Sequence, residues 1–283
     1  MSSRTLSPAG RARRLGVEAI SLVVALVVFV IPFVFIVLTA VKDEFQSSDL
    51  TFAWPTSWPV MDNIKQVFAA RDGMLLVAFK NSTIVTVVAV TILVVLCAMV
   101  AFVLQRRPGK VANVVNALIL SGLIIPPAIV PTIWVLQKLH LFKTIPGLIV
   151  VEVAFSMSFT ILLYRAFIAS IPRELDEAAT IDGCSGLALF FRVILPLLRP
   201  VTITSVLTNS VFIFNDFVNP LYFTPGDENA TVQLTLYNFL SQFSTQYNLL
   251  FMNILLITIP PLLVFILFNG KIVSGMTSGA VKG

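Results

Sequence analysis

Long apolar runs broken by short charged segments dominate this chain, with little of the strict alternation that marks half-buried strands. Runs of about 18 or more apolar residues read as membrane spans. Six can be placed: 15–41, from near Asn81 or a little earlier to Leu104, 111–135, Ile145–Ile168, 201–221 and 249–268. Each is close to the roughly 20 residues that cross a hydrocarbon core. Pro126, Pro127 and Pro131 interrupt the third, and the carbonyls they free need neighbouring helices or water. The pattern predicts an all-α polytopic membrane protein, with a tail over 1–14 and a single transmembrane domain over 15–283.

Composition agrees. Of 283 residues, 57% are hydrophobic and 12% charged, about half the charged fraction of a soluble domain. The first apolar run follows Arg4, Arg11, Arg13 and Arg14 as a signal peptide would. It is too long for a signal h-region and lacks a small-x-small cleavage site, so it reads as a retained span. Counting Lys and Arg between spans sets orientation. With the N-terminus inside, thirteen of nineteen lie on inner segments, leaving Lys42, Lys65, Arg71, Lys80, Lys138 and Lys143 outside. Both termini, including the tail 269–283, are then cytoplasmic, and the net charge of +5 reflects membrane orientation with no nucleic-acid partner implied. The outer loops are 42–76, where Trp54 and Trp58 suit the headgroup level, and 222–248. The latter carries a turn at 224–229 and an amphipathic run at 234–243 expected to lie on the outer surface.

Several chemistries are excluded. No G-x-x-x-x-G-K-[ST] phosphate loop is present, and no G-x-S-x-G elbow. His140 is the only histidine, which leaves a base-activated nucleophile or a histidine metal site without its parts. Cys97 and Cys184 are far apart and lack metal-like neighbours. Asn81-Ser82-Thr83 and Asn229-Ala230-Thr231 match glycosylation sequons, a pattern that arises often by chance.

The fifth span is polar along one side. As a continuous helix it would place Thr202, Thr204, Ser205, Thr208, Asn209, Asn215, Asp216 and Asn219 within an arc of about 160°. Such a stripe faces a water-filled path or makes hydrogen bonds between helices. Three asparagines and an aspartate favour the path, with Thr202, Ser205, Asn209, Asn215, Asp216 and Asn219 as its residues. Hydroxyls and amides with few charges suit a neutral, hydroxylated solute. Glu152 is a further path candidate or a carboxylate reaching the interface, and Arg165 is expected to snorkel.

The segment 170–198 is a charged island of helix-forming composition. Pro172 suits a helix's first turn, with Ser170 or Ile171 as cap. Asp182-Gly183 supplies a left-handed stop, and Ser185 can cap a second helix that Pro196 limits. The first helix offers Glu174, Asp176 and Glu177 to a partner's arginines, and Ala178 and Ala179 allow close backbone approach. A helix lying on the inner leaflet would carry a basic face; this one is acidic, which points to a protein partner.

Glu177-Ala178-Ala179, then Gly183, then Val193-x-Leu195-Pro196 resembles the EAA loop of ABC-importer permease subunits, with Val193 for the usual Ile. Asp182-Gly183-Cys184-Ser185 and Phe214-Asn215-Asp216-Phe217 are similar to the DGAS and W-N-E/D-F motifs of the carbohydrate branch, with Cys for Ala and Phe for Trp. Ser278-Gly279-Ala280-Val281-Lys282-Gly283 closely resembles that branch's GAVKG tail. The resemblance, to the shorter maltose-permease-like subunit, implies a six-span type I importer fold in a bacterial cytoplasmic membrane. It implies pairing with a second, different permease subunit, an extracytoplasmic sugar-binding protein facing the 222–248 loop, and an ABC ATPase dimer underneath, reached also by the tail. ATP and Mg would bind that ATPase, with no cofactor on this chain. It assigns ATPase coupling to Glu174, Glu177, Ala178, Ala179, Asp182, Gly183, Leu195 and Pro196. A secondary transporter or channel with a regulatory cytoplasmic loop is the alternative from the residues alone; only Glu152 and Asp216 would be its intramembrane ionisable groups.

Overall fold

A computed structural model describes residues 8–240 and 245–280, with side chains over 16–240 and 245–267. Thirteen α-helices account for most of the described chain, and the only β pairing among described residues is an isolated bridge between Leu240 and Thr245. They are α1 (Pro8–Ala40), α2 (Glu44–Ser48), α3 (Val60–Ala69), α4 (Met74–Arg106), α5 (Lys110–Ile124), α6 (Ile129–Lys138) and α7 (Ile145–Ile168). There follow α8 (Glu174–Ile181), α9 (Gly186–Leu189), α10 (Leu195–Leu197), α11 (Arg199–Phe214), α12 (Val218–Phe223) and α13 (Tyr247–Ala280). Among the described residues, four helices are long and apolar enough to cross a membrane, and two bent pairs bring the number to as many as six.

The six apolar runs are all helical, but three differ from the periodicity. The second span starts at Met74, after Gly73 in the left-handed region (φ 80°), because 74–79 is apolar enough to extend the helix toward its N-terminus. The third divides into α5 and α6, bent by 120° around Pro126-Pro127. The fifth is not one helix: α11 ends at Phe214, Asn215 to Phe217 leave the helix, and α12 restarts at Val218. Its start is also bent, by 78° between Gly186–Leu197 and Arg199–Phe214. By contrast, α13 continues through Pro260 and Pro261. The expected amphipathic run at 234–243 is instead 3₁₀ over Val232–Phe239, with Val232, Leu234, Thr235 and Phe239 buried; residues 241–244 lie outside the described residues.

Nothing in the residue pattern signals that 15–283 divides into two compact units, yet its contacts do so. One comprises the described residues up to Ala70 together with Leu236–Leu256. Here the buried Asn63 amide donates to the carbonyls of Ala40 and Lys42, both at 2.9 Å, and its oxygen accepts from Asn248 at 3.0 Å. The Lys42 ammonium, wholly buried, donates to the Thr51 carbonyl at 2.7 Å. Phe35 packs its ring against Phe52 and Phe251.

The other unit, Arg71–Thr235 with the chain from Ile257, is built around α4, which packs along α7 and α11. Val85, Ala89, Leu93, Cys97 and Ala101 recur every fourth residue on the buried face of α4. Small side chains at Ala89, Cys97, Ala98 and Ala101 let helix backbones approach closely, against Ile161, Tyr164 and Ile168 of α7. Unlike the other spanning runs, Met74–Arg106 contains neither Gly nor Pro.

Candidate functional site: the acidic helical hairpin and the broken polar span

The island folds as the charge pattern requires: two helical segments joined by a tight turn. Three carboxylates, Glu174, Asp176 and Glu177, occupy the first turn of α8, where they complement the positive helix end. The expected cap is not formed. Arg173 occupies the N-cap position without a side-chain capping bond, and the Ser170 hydroxyl donates back to Phe167. Gly183 closes α8 at φ +85°, a left-handed conformation that costs other residues about 1–2 kcal/mol. Ser185 holds the N-cap position of α9 with extended backbone, although its side chain makes no capping bond. The second segment passes through a π-helical turn over Phe190–Ile194 and ends at Leu197, one residue past Pro196, before the 78° bend.

The candidate contact residues separate by exposure. Glu174, Glu177, Ala178, Asp182, Gly183 and Pro196 are exposed and Leu195 is half-buried. Ala179, however, is 8% exposed and packs inward, so only Ala178 of the alanine pair offers its surface. Asp176 is also withdrawn from any partner. Its carboxylate pairs with the Arg106 guanidinium at the end of α4, with Nε 2.6 Å from Oδ2, and Nη2 donates to Oδ1 at 3.3 Å. The same guanidinium donates to the Ile171 carbonyl at 3.1 Å, and Arg173 donates to the Gln105 carbonyl at 3.4 Å. The hairpin is thus fastened to α4. A cleft of about 670 Å³, lined by Phe102, Arg106, Thr180, Gly183, Leu187 and Phe190, lies between them.

In the fifth span the polar arc divides. Ser205 and Asn209 are buried, Asn209 donating to Thr160 of α7 at 3.3 Å and to the Ser205 carbonyl at 2.9 Å. Tyr164 donates to Thr202 at 3.1 Å. These three expected path residues therefore pack helix to helix. Thr204 and Thr208, on the neighbouring rows, line a cavity of about 570 Å³ with Val211, Phe212, Asn215 and Asp216. Asn215 and Asp216 reach it because the helix has ended: Asp216 Oδ1 accepts from the Val218 N–H at 2.9 Å and starts α12. Asn219 lies elsewhere, donating to the buried Glu152 carboxyl at 3.2 Å, which also lies against Asp216. Arg165 does not simply snorkel, since it donates to Asn116 of α5.

Two groups of contacts have no counterpart in the sequence reading. Arg106 is legible there only as an orientation charge. Asn81 and Ser82 read as a sequon, but Asn81 is buried and donates to the Glu228 and Ala230 carbonyls, both at 3.0 Å. Ser82 accepts from the Val232 N–H at 3.0 Å. A polar pair at the head of an apolar run is the available signal. Among the described residues no group of His, Cys, Asp and Glu could hold a metal ion.

The unit built around α4 thus combines apolar spanning helices, an exposed acidic hairpin fastened to α4 and a polar cavity. The family described as "Binding-protein-dependent transport system inner membrane component" matches residues 95–278. A probable starch degradation products transport system permease protein, AmyC of Thermoanaerobacterium thermosulfurigenes, is 31% identical over 92% of this chain and 94% of its own length. The trehalose transport system permease protein SugB of Mycobacterium tuberculosis is 32% identical over 78% of this chain and 82% of its own. A bacterial ABC transporter involved in import of the acidic polysaccharide alginate has a chain of the same fold, with a TM-score of 0.81 and 17% identity over 95% of this chain and 99% of that one. The chain belongs to the family of binding-protein-dependent transport system inner membrane components, as a multi-pass permease of the type I importer fold.

Proposed function

We propose that this chain is one of two different permease subunits of an ATP-driven carbohydrate importer. It couples to a separate ABC ATPase dimer through the α8–α9 hairpin and takes its solute from an extracytoplasmic binding protein. The hairpin carries the reading: an acidic surface of Glu174, Glu177 and Ala178 is held rigidly by a neighbouring helix and left open. ATP binding closes the ATPase pair on the cytoplasmic side; the hairpin follows and tilts the spans between inward- and outward-open states. The carbohydrate assignment draws on relatives named for starch products and trehalose. It agrees with a cavity where Thr204, Thr208, Phe212 and Asn215 combine hydroxyl, amide and aromatic surfaces. Polar groups placed in a largely apolar pocket of this size are the usual features of a small-molecule site. The loop containing 224–229 faces the binding protein, and both termini lie in the cytoplasm.

Charge reversal tests the coupling. In the complex purified from membranes through a tag on the second permease subunit, Glu177→Arg is expected to lower ATPase recovery strongly while this chain is recovered as before. Undiminished ATPase recovery would contradict the reading.

A further inference from the structure

The two ends of α4 carry clamps of different chemistry. At one end Arg106 ion-pairs with Asp176 of the hairpin and binds the Ile171 carbonyl, while Arg173 reaches back to Gln105. Two turns inside the N-terminal end Asn81 holds the carbonyls of Glu228 and Ala230 and Ser82 holds the Val232 N–H, while Arg71, just ahead of the helix, pairs with Asp227 at 3.1 Å. Arg106, Asn81 and Ser82 all come from one helix of 33 residues, about 50 Å long at 1.5 Å per residue. Between the clamps the helix has no glycine or proline to absorb a bend, and kinks concentrate at such residues.

The burial of these contacts matters for force transmission. Arg106 and Asp176 are 11% and 17% exposed at their side chains, and Asn81 is 6% exposed. The Arg106–Asp176 pair is charge-assisted and stronger than a surface pair; the Asn81 bonds are neutral but buried, and the Arg71–Asp227 pair is exposed. The other carboxylates of the first turn, Glu174 and Glu177, flank Asp176 but are exposed. Two other spans of this unit are bent, α5–α6 by 120° and α10–α11 by 78°, whereas α7 is a continuous helix that packs along α4 without a contact to the hairpin like that of Arg106.

We propose that α4 is the strut that carries hairpin displacement to the outer loop at 227–232, with Arg106 and Asn81 as its positioning residues. Resting on the proposed coupling role, this extends it to the opposite face: nucleotide state at the ATPase sets the position of the loop that meets the binding protein. The same linkage works in reverse, since coupling between two sites is reciprocal, so a binding protein seated on the loop biases the hairpin.

The test uses the whole importer in lipid nanodiscs, with Glu228→Cys introduced on a Cys97→Ala, Cys184→Ala background. Reaction of the introduced thiol with a water-soluble maleimide is timed with and without a non-hydrolysable ATP analogue. A several-fold change of rate on adding nucleotide is expected. It should vanish in Arg106→Ala and in Asn81→Asp, whose carboxylate cannot donate, and return in the exchanged pair Arg106→Asp, Asp176→Arg. Because Asn81 lies far from the hairpin, its variant also separates transmission from damage to the ATPase contact. A nucleotide-dependent change that persists undiminished in both single variants overturns the strut, as does a rate insensitive to nucleotide when ATPase is present in the complex. Absence of the ATPase from the purified complex would instead remove the coupling reading, and the strut with it.

Discussion

Asn209 of α11 donates to the Thr160 hydroxyl of α7 at 3.3 Å, and with it one side of the polar stripe turns away from any solute. Ser205 beside it is wholly buried, whereas Thr208 is exposed in the cavity. Residues one position apart on a helix point about 100° away from each other, enough to separate packing from lining. Single cysteines replacing Thr204, Thr208 and Phe212 are therefore expected to react with a water-soluble thiol reagent in the assembled importer, and those replacing Ser205 and Asn209 to resist it. Asn209→Ala should also lower bundle stability by about 1 kcal/mol, read as a shift in thermal unfolding. Equal labelling of the Thr204→Cys and Ser205→Cys variants would contradict this division.

The stripe also shows how far the residues were legible. Apolar run length located the four described helices that are long and apolar enough to cross a membrane and the two bent pairs, because crossing a membrane demands continuous apolar backbone closure whatever the neighbours do. The hairpin was equally readable, since Gly183 and the acidic first turn act locally. The break at Asn215 was not readable: polar side chains that end a helix are indistinguishable, in a 100° projection, from polar side chains that line one. Asp216 reveals the difference only by accepting from Val218 in the folded chain. The caps expected at Ser170 or Ile171 do not form, because α8 starts only at Glu174 with Arg173 in the N-cap position, and the Ser170 hydroxyl donates to Phe167 instead. Long-range pairs such as Arg106 with Asp176, 70 residues apart, leave no local pattern.

Gly183 offers a backbone test. Nothing lies within 4 Å of a Cβ placed there, so a larger residue meets strain only through φ +85°. For Gly183→Val the cost is about 1–2 kcal/mol, confined to the turn. The complex should assemble and hydrolyse ATP while uptake of solute falls by well over half. Normal uptake would show that the turn geometry is not used in coupling.

Outside the membrane spans, Asp43 caps α2, accepting from the Gln46 N–H at 2.8 Å and from the Ser57 hydroxyl. Those two bonds, the backbone one first, hold its carboxyl below the ordinary aspartate range. With the folded value depressed, the cap contributes fully above the ordinary value of about 3.9 and is lost as pH falls through the lower folded value. Amide exchange at Gln46 should accelerate in that acid window, and Asp43→Asn should remove the pH step. A step unchanged in that variant would assign it to another group.

The hairpin's role is tested most directly at two adjacent alanines. Ala178 is exposed, and Ala179, at 8% exposure, is turned into its own chain. With a short bifunctional thiol reagent and a cysteine on the facing surface of the ATPase, Ala178→Cys is expected to give a cross-linked product between the two chains, and Ala179→Cys little or none. Cross-linking from neither position, in a complex that retains its ATPase, would contradict the hairpin as the coupling contact.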